Sequence, residues 1–166
     1  MQELIEIMAR LRAPDGCPWD REQTHESLLK YLLEESAEVF EASRSGQMDH
    51  LKEELGDILL QVVFHAQIAQ ENGHFTINDV VRSICDKMIR RHPHVFANAS
   101  AQTSEDVKQQ WELIKAAEKS GKLAPRPLDE PDFADLLSVL DRWGHKRGFD
   151  ALEVLRQARH KTQPKS

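Results

Sequence analysis

The sequence predicts an all-α protein: a helical bundle followed by a short C-terminal helical extension. Three observations carry that expectation. Apolar residues recur at three- and four-residue intervals, as in Leu4, Ile7, Met8 and Leu11, the spacing of one face of a helix. No stretch alternates apolar and polar residues over the length a strand needs. Glycines and prolines are few, seven of each among 166 residues, and they gather mostly between the periodic segments.

The elements follow in order. A first helix is expected over about 2–12, and the turn-rich "APDGCPWD" (13–20) follows as a loop. The second helix runs from about Thr24 or Ser27 to Ser43, where "SRSGQ" breaks it. The third runs from about Asp49 to Glu71 and is apolar almost all round after Asp57, which makes it the central helix. Gly56 lies within it, where glycine costs roughly 1 kcal/mol relative to alanine, and is read as making room for a neighbouring helix. The fourth starts near Thr76 or Asn78 and ends at Arg91, since Pro93 prevents its continuation. "HPHVFANASAQT" reads as an irregular connection, and a fifth helix covers about Ser104 to Lys119, with Glu105 and Asp106 complementing the dipole of its first turn. "SGKLAPRPLDEP" holds three prolines and a glycine. It divides a domain at 1–120 from an extension at 132–166, with a linker at 121–131. In the extension, "DFADLLSVLDRW" and "DALEVLRQARHK" are amphipathic and joined by "GHKRGF". Asp150 and Glu153 have capping-box spacing.

Composition narrows the function. Hydrophobic residues make up 40% and charged residues 30%, and the net charge is −6. That balance argues against coating a nucleic-acid polymer or an anionic membrane. Cys17 and Cys85 form no zinc or disulfide spacing, so a reducing compartment is expected. The amphipathic, acid-containing start is unlike a signal peptide, and no apolar run approaches a membrane span. The expected setting is cytoplasmic.

The acids carry the chemistry. At about 100° per residue, Glu35 and Glu38 lie about 60° apart on the second helix, on the same side as Leu28, Tyr31, Leu32, Val39 and Ala42. Glu34 and Glu41 lie toward the flank. Glu54 and Asp57 repeat the spacing on the third helix, beside Leu51, Ile58 and His65, with the centre of the apolar face further round through Leu55, Leu59 and Val62. Helices joined by a short loop pack antiparallel, so E-x-x-E would face E-x-x-D. Four carboxylates beside apolar faces need a cation, and hard oxygen donors suit Mg²⁺, Mn²⁺ or Ca²⁺. Mg²⁺ fits best where a phosphate shares the site. Flank salt bridges are the plainer alternative. A di-iron bundle would need Glu-x-x-His pairs, and the single such spacing, Glu71 to His74, falls at a helix end.

Cations for a polyphosphate are also present. Lys87, Arg90 and Arg91 sit within a turn of one another, and Trp111 and Lys115 share a face four residues apart. Dipole complementation and core packing are their plainer readings. Trp19 is either a lid over the core or a wall for a nucleobase. His92 and His94 read as caps or surface residues, and neither cysteine has a partner for nucleophilic catalysis.

"GCPWD", "LLEESAEVFEA", "LKEELGDILLQVVFHAQIA", "DKMIRRHPHVF" and "WELIK" together resemble, in order and spacing, the MazG-type nucleoside triphosphate pyrophosphohydrolases over roughly residues 3–120. The resemblance implies an all-α fold that forms a homodimer and sometimes a higher homo-oligomer. It implies Mg²⁺-dependent hydrolysis of a nucleoside triphosphate to monophosphate and pyrophosphate, a nucleotide-pool house-cleaning activity, with Mn²⁺ as a possible substitute. Carried over by position, Glu35, Glu38, Glu54 and Asp57 are the implied metal ligands. Lys87, Arg91, Trp111 and Lys115 are the implied nucleotide contacts, with Arg90 beside them. Glu34 and Glu53 are implied to support the ligands or position water. "LLSVLDRWGHKRGFDALEVL" is similar to the start of a second such domain in longer members, with no second acid set. The alternative is a non-enzymatic helical dimerisation or regulatory module that keeps the fold.

Overall fold

The computed structural model describes residues 1–119, 130–151, 153 and 154. Among them are eight helices and no strand: α1 (Gln2–Arg12), α2 (Pro18–Glu22), α3 (His25–Ser45), α4 (Met48–Glu71), α5 (Ile77–Arg91), α6 (Pro93–Phe96), α7 (Ser104–Lys119) and α8 (Glu130–Lys146). The all-α expectation holds. The chain groups into two compact units, Met1–Asn72 with Leu128–Ser166, and Gly73–Pro127. Most of the linker, 121–129, lies outside the described residues, and Glu130 and Pro131 already belong to α8. The tail helix expected from residue 150 is described only at 151, 153 and 154, where Glu153 N–H donates to Asp150 Oδ1 at 2.8 Å.

Helix starts follow local chemistry. Thr24 and Ser27 form a reciprocal capping box, and so do Thr76 and Asp79. Each satisfies two otherwise orphaned N–H groups, a cap contributing about 1 kcal/mol. Two short helices correct the expectation of loops. "APDGCPWD" and "HPHVFANASAQT" contain α2 and α6, and each begins with a proline, Pro18 and Pro93. Proline ends a preceding helix, but its fixed φ and missing N–H also suit the first position of a new one.

In the first unit, α3 and α4 form the main packed pair. Two residues join them, and Gly46 turns the chain in the left-handed region with φ 71°. The pair is antiparallel: His25 at the start of α3 meets His65 late in α4, with Nδ1 atoms 2.8 Å apart and the rings stacked. Burial, then the charge of His25, lower the His65 pKa, which favours the neutral ring that can accept in this bond. The later part of α4 is deeply enclosed through Val63, Phe64, Ala66, Ile68 and Ala69, while Met8 of α1 and Leu28 and Ala42 of α3 complete the core.

The first half of α4 departs from expectation. Leu55 is 51% exposed, Leu59 36% and Val62 37%, although periodicity makes them the middle of an apolar face. Periodicity identifies a face that gains by burial; it does not say which molecule covers it. Among the described residues Gly56 makes no room for a helix, since a Cβ there would meet nothing within 4 Å.

Arg12 ties the unit's first loop together. Its guanidinium donates to both carboxylate oxygens of Glu71, to the Asp20 carbonyl and to the Gln23 carbonyl at 3.3 Å, and it stands over the Phe64 ring. This pins the C-terminal end of α2. In the second unit, α7 and the end of α5 are joined through Glu118, described below. No helix among the described residues is long and apolar enough to cross a membrane.

Candidate metal centre and nucleotide contacts

The antiparallel α3–α4 pair brings three of the four expected acids together. One carboxylate oxygen from each of Glu35, Glu38 and Glu54 lies within 4.8 Å of the others. Glu54 is buried to 7% exposure, and His50, one turn earlier, holds its Oε1 at 2.8 Å. His50 was not among the expected site residues, although its i, i+4 spacing to Glu54 was a usable signal. Asp57 is exposed and lies outside the close trio, yet after burial it is the strongest influence on Glu35.

Glu35 records the electrostatic condition of the cluster. Its pKa is raised from 4.5 to about 7 by burial, then by the charges of Asp57, Glu38, Glu54 and Glu34. Repulsion among these acids is therefore only partly offset at Glu35. Mg–O bonds of about 2.1 Å place opposite ligand oxygens roughly 4.2 Å apart. The observed spread needs only small side-chain rotations to close on such an ion. The donor set is all carboxylate, the chemistry that hard divalent cations take. The residues fit a Mg²⁺ or Mn²⁺ ion.

The supporting acids differ from one another. Glu34 is half-buried and 3.7 Å from Lys146 Nζ, whereas Glu53 is exposed. Trp19 stands on α2, half-exposed at 48%. One part packs edge-on against Tyr31 and Phe64, with ring centroids 5.8 and 6.5 Å away. That packing fits the lid reading, and the rest of the ring is open to solvent.

The second unit holds the expected cations. Arg90 Nε donates to Glu118 Oε1 at 2.6 Å, and Arg91 Nη2 donates to Glu118 Oε2 at 2.6 Å. The Arg91 and Arg90 hydrogen bonds hold the Glu118 carboxyl down at about 2. Sequence reading gave these arginines no such partner, because Glu118 lies 27 and 28 residues away. Lys115 stands 5.8 Å from the Trp111 ring centroid and 2.8 Å from Glu112. His92 packs edge-on against the same indole at 5.1 Å, and the Trp111 Nε1 atom is buried with no hydrogen-bond partner among the described residues. Lys87 borders an open hollow of about 640 Å³ with Phe75, Val80, Ser83 and Ile84.

Comparison with known proteins gives a consistent result. Residues 23–96 match the model of the MazG nucleotide pyrophosphohydrolase domain. The chain is 56% identical over 125 residues to the nucleoside triphosphate pyrophosphohydrolase/pyrophosphatase MazG of Thermotoga maritima, covering 75% of this chain and 48% of that protein. It is 50% identical over 131 residues to the nucleoside triphosphate pyrophosphohydrolase of Escherichia coli K12, covering 78% of this chain and 50% of that one. A crystal structure of a mazG-related protein from Thermotoga maritima superposes with a TM-score of 0.59 at 28% identity, over 70% of this chain and 99% of the other. The chain spans about half the length of these two curated relatives.

Proposed function

Because the chain belongs to the MazG family of nucleotide pyrophosphohydrolases, we propose that it hydrolyses a nucleoside triphosphate to the monophosphate and pyrophosphate with Mg²⁺. The observation that carries this reading is the convergence of Glu35, Glu38 and Glu54 from two helices, with Glu35 raised to about 7 by burial and its acidic neighbours.

Glu35, Glu38 and Glu54 would hold the ion, with Asp57 at the exposed side. The ion would supply Lewis-acid polarisation of a phosphoryl oxygen and of water. The chain's own residues do the remaining work. His50 fixes the Glu54 carboxylate through Oε1, leaving Oε2 to serve as a ligand. Lys87, Arg91 and Lys115 are the cations assigned to the triphosphate, where fixed positive charge stabilises the departing pyrophosphate. Arg90 shares Glu118 with Arg91, so the two guanidiniums are oriented before any phosphate arrives. Trp111 and the exposed part of Trp19 are assigned to the nucleotide, and Glu34 and Glu53 to support of the ligands or of water.

The proposal extends to a cytoplasmic homodimer that clears unwanted nucleotides. The exposed Leu55, Leu59 and Val62 stripe supports self-association, since burying such a stripe is favourable at about 25 cal/mol per Å². The test is a panel of ribo- and deoxyribonucleoside triphosphates with Mg²⁺, scoring pyrophosphate and monophosphate together. Equimolar release of both supports the reading. Orthophosphate as the first product, or full activity in Glu38→Gln, overturns it.

A further inference from the structure

The acidic cluster has a neighbour from far along the chain. After α8, Arg147 Nε donates to Glu41 Oε2 at 2.6 Å, and its Nη2 lies 3.6 Å from Glu38 Oε1. Lys146 Nζ lies 3.7 Å from Glu34 Oε1. Two adjacent cations of the C-terminal extension therefore stand along α3, against acids on both sides of Glu35.

The turn that presents them is tightly built. Arg147 N–H and Phe149 N–H both donate to the Gly144 carbonyl, at 3.0 and 3.1 Å. Gly148 has φ +82°, in the left-handed region that favours glycine. A Cβ on Gly144 would come 2.9 Å from Ala151 Cβ and 3.0 Å from the Phe149 carbonyl oxygen, so no larger residue fits without a shift. Trp143 packs edge-on against Phe149 with centroids 5.5 Å apart, and Ala151 is buried. A solvated arginine that drifted onto an acid would not need this framework.

We propose that Arg147 is a resident counter-cation of the acidic centre, competing with the divalent ion for Glu38 and so raising the metal concentration that the centre requires. The inference rests on the metal-centre reading and adds a regulator to it. Glu38 is shared: its carboxylate faces the guanidinium and also belongs to the metal trio. In metal-free protein, Arg147 offsets part of the repulsion among the acids. When the ion binds, that same charge opposes it. Removing Arg147 should therefore weaken the metal-free fold and strengthen metal binding, two effects of opposite sign. A residue that merely packed the tail would weaken both.

The experiment titrates Mn²⁺ into the full chain without nucleotide, following the free-ion electron paramagnetic resonance signal, with melting curves in EDTA alongside. Arg147→Gln should bind Mn²⁺ roughly three- to tenfold more tightly, the scale expected for a unit charge a few ångströms from a divalent ion in a largely aqueous setting with salt. Arg147→Lys keeps the charge and should stay within about twofold of the native chain on the same electrostatic ground. Unchanged or weaker Mn²⁺ binding in Arg147→Gln overturns the inference and leaves the metal centre standing. Absence of Mn²⁺ binding by the native chain overturns both.

Discussion

Glu35→Gln should stabilise this protein without metal and destabilise it with metal. In the native chain the Glu35 carboxyl is raised from 4.5 to about 7. A group raised in the folded state holds its proton there while the unfolded chain has already lost it. Its stability contribution is thus full below about pH 4.5 and is lost as pH rises through 7. At about 1.4 kcal/mol per pH unit the displacement corresponds to roughly 3 kcal/mol. Water screening at this partly exposed position reduces that to about 1–2 kcal/mol. Glutamine is neutral throughout and avoids the loss. In EDTA the variant should match the native chain at low pH and melt roughly 3–6 °C higher at pH 8. With Mg²⁺ at pH 8 the order should reverse, because the native chain gains ligand stabilisation and the variant lacks a ligand. Melting curves at two pH values, with and without Mg²⁺, give all four comparisons. A variant less stable than the native chain in EDTA at pH 8 would refute the repulsion argument.

Three further outcomes follow from other parts of the fold. Arg12→Ala leaves the Glu71 carboxylate and two carbonyls without their cation and should cost about 2–4 kcal/mol in denaturant melts at neutral pH. Arg12 lowers the Glu71 pKa through its hydrogen bond, so the difference should shrink as pH falls below the ordinary carboxylate range. Glu118→Gln should lower the melting temperature at neutral pH, and the gap should narrow only as pH falls toward 2, where native Glu118 takes up its proton. A constant gap between pH 7 and 2 would count against the ion pairs as its cause. Gly56→Ala has open space around its new methyl and should stabilise dilute protein by up to about 1 kcal/mol; a lower melting temperature with weaker self-association in sedimentation would instead show a second copy packed against Gly56.

Much of this architecture was legible in the sequence because its causes are local. Thr24 and Thr76 announce their helices through capping chemistry within three residues. Glu35, Glu38 and Glu54 converge because a two-residue connection leaves α3 and α4 little choice of arrangement. Legibility failed where two causes share one residue type or where the partner is remote. Pro93 both stops α5 and starts α6, and Pro18 starts α2 inside a segment whose composition is that of a turn. Leu55, Leu59 and Val62 have the periodicity of a core face but are exposed in the single chain. Arg147 reaches Glu41 across 106 residues, and no spacing rule spans such a distance. Glu118 escaped for the same reason, since its carboxylate meets Arg90 and Arg91 only through the packing of α7 on α5.

The tether at Arg12 also bears on what Trp19 can do. A half-exposed indole on a one-turn helix would ordinarily sample many positions, and a planar ligand stacking on it would have to arrest that motion. Here the carbonyls of Asp20 and Gln23, just beyond the indole in sequence, are held by one guanidinium anchored on α4. The ring is held at its rear edge by Tyr31 and Phe64. Its open side is therefore preorganised, and an arriving aromatic group loses little conformational entropy beyond its own. Under the proposed nucleotide role of Trp19, a change at Arg12 would then appear as weaker stacking through disorder of the surface.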